Sequence, residues 1–190
     1  MAAVLLIASI GAAGCGPQPQ KKTQLRLLVA GSLLIPFDEM ERAFEAQRPG
    51  VDVLVEGHGS IQCVRHVTEL EELVDVVAVA DYALIPMLMY ASEEPETGAP
   101  YANWHLQFAT NQLGIAYTPQ SAYAGEITAD NWYAVASRPD VLLGLSDPRF
   151  DACGYRGLMA AKLAEAYYGD DTILHDLFGS RFSPAVRVGP

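Results

Sequence analysis

From Leu25 onward, short apolar runs alternate with stretches whose apolar residues recur at helical spacing. The runs "LRLLVA" (25–30), "VDVLVEG" (51–57), "VDVVAVA" (74–80) and "QLGIAYT" (112–118) read as strands, and "VLLGL" (141–145) is the shortest of the set. Between the first two, "PFDEMERAFEAQRPG" puts Phe37, Met40 and Phe44 on one helix face and stops at Pro49-Gly50. Between the second and third, "GSIQCVRHVTELEEL" carries Ile61, Val64, Val67 and Leu70 or Leu73 at helical spacing, with Ser60 placed to cap the helix. Farther on, "ADNWYAVAS" predicts a helix capped by Asp130 and stopped before Pro139, and a long helix runs from about Asp151 to Tyr168. Strands alternating with helices predict βαβ units and a mainly parallel sheet, so the fold class is α/β. The Pro-, Gly- and Glu-rich "SEEPETGAP" (92–100) is the clearest loop, and a domain change falls between about Trp104 and Gln112. That divides the chain into a leader and tether (1–23), a first lobe (24–107) and a second (108–190).

Composition adds a compartment. The chain is 190 residues long, 51% hydrophobic and 18% charged, a globular profile. Its formal net charge of -11 argues against a non-specific grip on nucleic acid or anionic lipid, so any bound anion must be held by local dipoles. The apolar run Ala2 to Gly14 is too short to span a bilayer and reads as a signal-peptide core, although no Lys or Arg precedes it. Its ending, Ala12-Ala13-Gly14-Cys15, resembles a lipobox, which makes Cys15 the lipidated residue and Gly16 to Thr23 the tether to the membrane. The alternative is an ordinary cleaved signal with an incidental Cys. Cys63 and Cys153 then remain in a disulfide-permissive compartment, either paired or free.

Three turns share one arrangement: an apolar strand, a tight turn, then a small polar residue opening a helix. They are "LLVAGSLL" with Ser32, "LVEGHGSIQ" with Ser60, and "LGLSDPRFDACGY" with Ser146 and Asp151. Helix-start N–H groups and the helix dipole favour a negative ligand, a Ser hydroxyl adds a donor, and ligands in open α/β sheets sit beyond the carboxyl ends of the strands. The plainer alternative makes each of these residues a cap only. Other chemistry fits less well. "GHGSIQC" is neither a nucleophile elbow nor a dinucleotide loop, because position 62 is Gln where the latter needs Gly. Cys63 and His66 stand three apart on a helix without a second Cys/His pair to complete a metal site.

The segments "RLLVAGSLLIPFDEMERAFEAQRPGVDV", "GSIQCVRHVTEL", "DVVAVADYALIPMLM", "WHLQFATNQLGIAYT", "DNWYAVASRPDV" and "SDPRFDACGYRGLMAAKLAEAYY" together resemble the archaeal-type molybdate/tungstate-binding protein of an ABC importer. The resemblance runs from about Leu25 to Tyr168, and "ADYALIP" with "DACGYR" is its most specific part. It implies a two-domain Venus-flytrap receptor, type II periplasmic-binding-protein-like, that holds the oxyanion between domains. By the same resemblance Ser32 and Ser60 hydrogen-bond the anion and Asp151 approaches its molybdenum or tungsten; Ala152 stands where the family usually has Pro. Tungsten(VI) and molybdenum(VI) accept an extra oxygen ligand and sulfur in sulfate does not, so a carboxylate there selects by repulsion as well as attraction. Family members continue past the position of Pro190 and supply a second carboxylate, a Glu. The expectation for this chain is therefore a second domain cut short, incomplete cores with exposed apolar edges, and impaired binding.

The functional expectation is an extracytoplasmic, lipid-anchored, monomeric solute receptor, not an enzyme, with no cofactor beyond its ligand molybdate or tungstate. It would hand that ligand to an ABC permease and bind no nucleic acid. A sulfate- or phosphate-type receptor, with Asp151 only a cap, is the alternative of the same class. An exported hydrolase using Cys153 or Ser60 is the alternative of another class, and it lacks an elbow, a paired base and an oriented acid.

Overall fold

The computed structural model describes residues 21–179. Cys15 and the lipobox expected there lie outside them. Three parallel strands, β1 (Thr23–Ala30), β2 (Val51–His58) and β3 (Val76–Ala78), form a sheet in the order β2-β1-β3. The register aligns Thr23 with Val51 and Ala30 with His58 on one side of β1, and Leu27 with Val76 and Val29 with Ala78 on the other. As the central strand of a parallel sheet, β1 is covered on both faces, and its last four residues, Leu27 to Ala30, are buried.

Each crossover carries a helix. After β1 a 3₁₀ turn (Gly31–Leu33) leads into α1 (Leu34–Gln47), and after β2 comes α2 (Ser60–Thr68). Residues alternate between the faces of a strand, so the sheet has two packed sides. On one, Leu27, Val29, Val53 and Ala78 meet Leu33, Leu34 and Phe37 from the start of α1. On the other, Val77 and Val79 lie with Val64 of α2 and with Leu84, Ile85 and Met89, the last two in a π-helical turn (Ile85–Met89). Glu45 Oε1 of α1 accepts from the Val53 N–H at 2.8 Å and so occupies a donor on the outer edge of β2. The second half of the chain contributes α3 (Trp132–Ala136) and the long α4 (Ala152–Tyr168). Ala136, Ala161 and Ala164 pack there with Ile173, Leu177 and Phe178, while Trp132 Nε1 donates to the Tyr168 hydroxyl at 3.2 Å.

Several expectations are corrected. The stretches 112–118 and 141–145 are irregular; a strand needs a neighbour to take its backbone hydrogen bonds, and neither stretch finds one among the described residues. The third strand is shorter than 74–80, spanning Val76–Ala78. Helix α2 ends at Thr68, leaving Leu70 and Leu73 exposed, because the chain turns through Glu71 at φ 54° to bring Glu72 onto Arg26 (2.5 Å) and His66 (2.9 Å). Ser60 is the first residue of α2 rather than its cap, which is Gly59. Residue 131, not Asp130, flanks α3, and Asn131 Oδ1 accepts from the Thr128 N–H at 2.7 Å instead of capping the helix. Of the three aromatic and Met positions expected on one face of α1, only Phe37 packs on the sheet; Met40 and Phe44 lie on later turns that remain exposed. No described helix is long and apolar enough to cross a membrane.

Candidate functional site

The strand order places β1 between a neighbour reached by α1 and one reached by α2, packed on opposite faces. Such a reversal opens a crevice beyond the carboxyl ends of the central strands. A cleft of about 1760 Å³ lies there, walled by Gly31 and Ser32 after β1, Gly59 after β2, Ala80 and Asp81 after β3, and Asp151 at the start of α4. The segment from Pro100 to Leu113 closes another side, held by an edge-on contact of Phe108 with Phe37 (6.1 Å) and by Asn111 Nδ2 donating to the Ala80 carbonyl (3.4 Å).

Asp151 stands where the sequence places it and does more than cap its own helix. Its backbone is extended (φ -139°, ψ 146°), and Oδ2 accepts from the Cys153 N–H at 3.3 Å, the ordinary N-cap bond. Oδ1 accepts from the Ser60 N–H, 91 residues away in sequence, at 3.2 Å. The neighbouring Phe150 carbonyl accepts from the Ile61 (3.1 Å) and Gln62 (3.3 Å) N–H groups. The first three N–H groups of α2 are thus taken by a carbonyl and a carboxylate from the start of α4. Gly59 permits this approach, since a Cβ there would stand 2.4 Å from the Phe150 oxygen. Gly154 does the same on α4, where a Cβ would stand 2.4 Å from the Ser146 carbonyl oxygen.

Ser60 is fully buried, and its Oγ accepts from the Ala80 N–H at 3.2 Å, which leaves its O–H to donate. Ser32 is exposed on the cleft wall. Ser60 and Asp151 therefore meet directly; Ser32 and Asp151 line the cleft, whereas the fully buried Ser60 is not part of its lining. Ser146, from the third turn, lines the cleft as well.

A second cluster, not anticipated from the sequence, joins the same elements. Asp81, only 5% exposed, accepts from the Ala83 N–H at Oδ1 (3.0 Å) and, at Oδ2, from the Tyr155 hydroxyl and from Arg156 Nε (2.8 Å) and Nη2 (2.7 Å). Burial alone would raise its carboxyl pKa; the Tyr155 hydroxyl, the Ala83 N–H and the Arg156 guanidinium outweigh that and hold it below the usual range. Burial, and then the Asp81 carboxylate, raise the Tyr155 hydroxyl, which stays a donor. The partners sit in "ADYALIP" and "DACGYR", the two most specific strings, but nothing in spacing pairs residues 75 apart.

Catalytic alternatives find little support. Cys63 and Cys153 are free thiols; Cys63 is buried, and burial pushes its pKa up to about 11, away from nucleophilic character. Among the described residues, the hydrogen bond to Ser60 Oγ comes from the Ala80 N–H rather than from a base. His66 is taken by Glu72 and packs at a tilt against His58 (4.4 Å between ring centres), and among the described residues no three His, Cys, Asp or Glu side chains are grouped to hold a metal ion. The charged residues on the cleft wall are Asp75, Asp81, Asp147, Asp151 and Arg156.

Residues 25–186 match the family described as bacterial extracellular solute-binding protein. An uncharacterized solute-binding protein of Methanoculleus marisnigri is 46% identical over 159 residues, 84% of this chain and 42% of its own length. One of Petrotoga mobilis is 47% identical over 148 residues, 78% of this chain and 44% of its own length. The molybdate/tungstate-binding protein WtpA of Pyrococcus abyssi is 41% identical over 176 residues, 89% of this chain and 49% of its own length. The chain thus spans less than half the length of these relatives. With its parallel sheet, its cleft beyond the strand ends and a family match running through both, the chain belongs to the extracellular solute-binding proteins.

Proposed function

We propose that this protein captures molybdate or tungstate in the cleft beyond β1 and β3 and delivers it to the permease of an ABC importer. The proposal includes the two-lobed flytrap form, an extracytoplasmic position and a lipid anchor at Cys15. The observation that carries it is the Asp151 carboxylate, held on the cleft wall by the Ser60 N–H at 3.2 Å. Asp75, Asp81, Asp147, Asp151 and Arg156 line this cleft; Arg149 pairs with Asp147 and Arg156 with Asp81, and the negative balance that remains repels an anion offering only oxygens. An oxyanion whose central metal accepts a carboxylate oxygen recovers that cost, so the same wall discriminates against sulfate and phosphate. The Ser32 hydroxyl, and the O–H that Ser60 has left to donate, are the donors for the anion oxygens in this reading. The relative named for molybdate and tungstate supports the choice of anion.

The test is thermal melting and calorimetric titration of the full-length protein with sodium tungstate, sodium molybdate and sodium sulfate. Tungstate and molybdate are expected to raise the melting temperature, with about 2.7 kcal/mol of stabilisation at a free concentration 100 times Kd. Sulfate is expected to leave it unchanged, and Asp151→Ala to abolish the distinction. Equal stabilisation by sulfate favours a sulfate- or phosphate-type receptor in which Asp151 only caps, and no response to any of the anions overturns the proposal.

A further inference from the structure

We propose that Asp81 is the positioning residue of the oxyanion site, holding Asp151 in place with a carboxylate that its own partners already occupy. This inference rests on the oxyanion reading above.

Ala80 and Asp81 follow β3 at the point where the crevice opens, and they contact both elements that carry candidate ligand groups. The Ala80 N–H fixes Ser60 Oγ (3.2 Å), and Asp81 grips α4 through Tyr155 and Arg156. Those two residues lie one turn beyond Asp151, and a helical turn is stiff enough that fixing them fixes the N-cap. The carboxylate of Asp81 already receives Ala83, Tyr155 and two Arg156 nitrogens, so it has little left to offer a solute and acts through its neighbours.

The other tethers of the α4 start are of a different kind. They are the Phe150 carbonyl on the Ile61 and Gln62 N–H groups and the Asp151 carboxylate on the Ser60 N–H. A solute engaging Asp151 or the start of α2 must share these bonds. The Asp81 clasp is not shared, and so it is the contact that persists while the solute binds. It has a second effect on selectivity. Arg156 is the cation on a wall that also bears Asp151, and Asp81 holds its guanidinium. Released, that guanidinium would offer sulfate a counter-ion and would compete for Asp151.

The experiment compares the full chain with Asp81→Asn, Asp151→Ala, the double variant and Arg156→Lys. It reads Kd for tungstate and for sulfate, together with amide hydrogen exchange at Ser60 and Cys153 in ligand-free protein. In Asp81→Asn the preference for tungstate over sulfate is expected to fall roughly tenfold, within the range of coupling between residues of one network. The double variant is expected to be no less selective than Asp151→Ala alone, exchange at Ser60 and Cys153 to quicken, and Arg156→Lys to retain part of the preference. Equal weakening of both anions, or losses that multiply in the double variant, would reduce Asp81 to a general structural role and overturn the inference. If Asp81→Asn does not fold, Tyr155→Phe removes one donor from the clasp and is read in the same way. If the parent chain binds neither anion, the oxyanion reading fails by itself. Unchanged exchange at Ser60 and Cys153 would then overturn the positioning of Asp151 separately.

Discussion

At Gly59 the absence of one carbon lets the starts of α2 and α4 meet. A Cβ there would sit 2.4 Å from the Phe150 carbonyl oxygen, a backbone atom that cannot rotate away. Gly59→Ala is therefore expected to force the start of α4 off the start of α2 and to cost about 1–3 kcal/mol, the usual range for overpacking. Urea denaturation measures it, and a loss below 0.5 kcal/mol, the range of unremarkable surface substitutions, would show that the two helix starts separate easily. The sequence made the glycine visible as part of a Gly-Ser turn but not its reason, because the atom it makes room for is 91 residues downstream of it. Asp151 was legible as an N-cap from the pattern around it; that its other oxygen reaches Ser60 depends on tertiary contact and has no local signature.

At the scale of elements, the clasp between the end of β3 and α4 gives the protein a dependence on acid. The Asp81 carboxyl is held below its ordinary value, so its contribution is present above the unfolded pKa, about 3.9, and is lost as pH falls through the folded value. The stability difference between the parent and Asp81→Asn is expected to be constant from pH 7 down to about 5 and to shrink below about 4. Melting curves over that series check the sign, and a gap that widens in acid would contradict it. Element types close to β1 were readable because each strand there has a partner and each helix a sheet face. The stretches 112–118 and 141–145 carry the same apolar composition but end irregular. Composition makes a segment able to form a strand, and a neighbour makes it one. Leu70 and Leu73 show the converse, helical spacing overruled by Glu72 reaching Arg26 and His66.

Over the whole molecule, charge and apolar exposure set the behaviour. Trp104, Leu106 and Phe108 are exposed in the stretch that walls the cleft, and Ile115 and Tyr117 follow. With a formal net charge of -11, self-repulsion is a standing cost that salt screens over about 8 Å at 0.15 M. The melting temperature is expected to rise as sodium chloride goes from 10 to about 150 mM, the range where the Debye length falls from roughly 30 to 8 Å. A fall would mean that ion pairs such as Arg26 with Glu56 and Glu72 outweigh the repulsion. The α/β class and the cleft at the strand ends followed from the alternation of strands and helices, whereas the acidic character of the cleft wall emerged only when the two ends of β3 and the turn before α4 were brought together.

One carboxylate shared by two helix starts has a further consequence. With the Phe150 carbonyl beside it, Asp151 already gives α2 the negative partner that its dipole attracts. On the proposed reading, a solute at that position would replace or join a ligand the chain supplies to itself. The affinity measured is then the margin of an exchange rather than the strength of a contact.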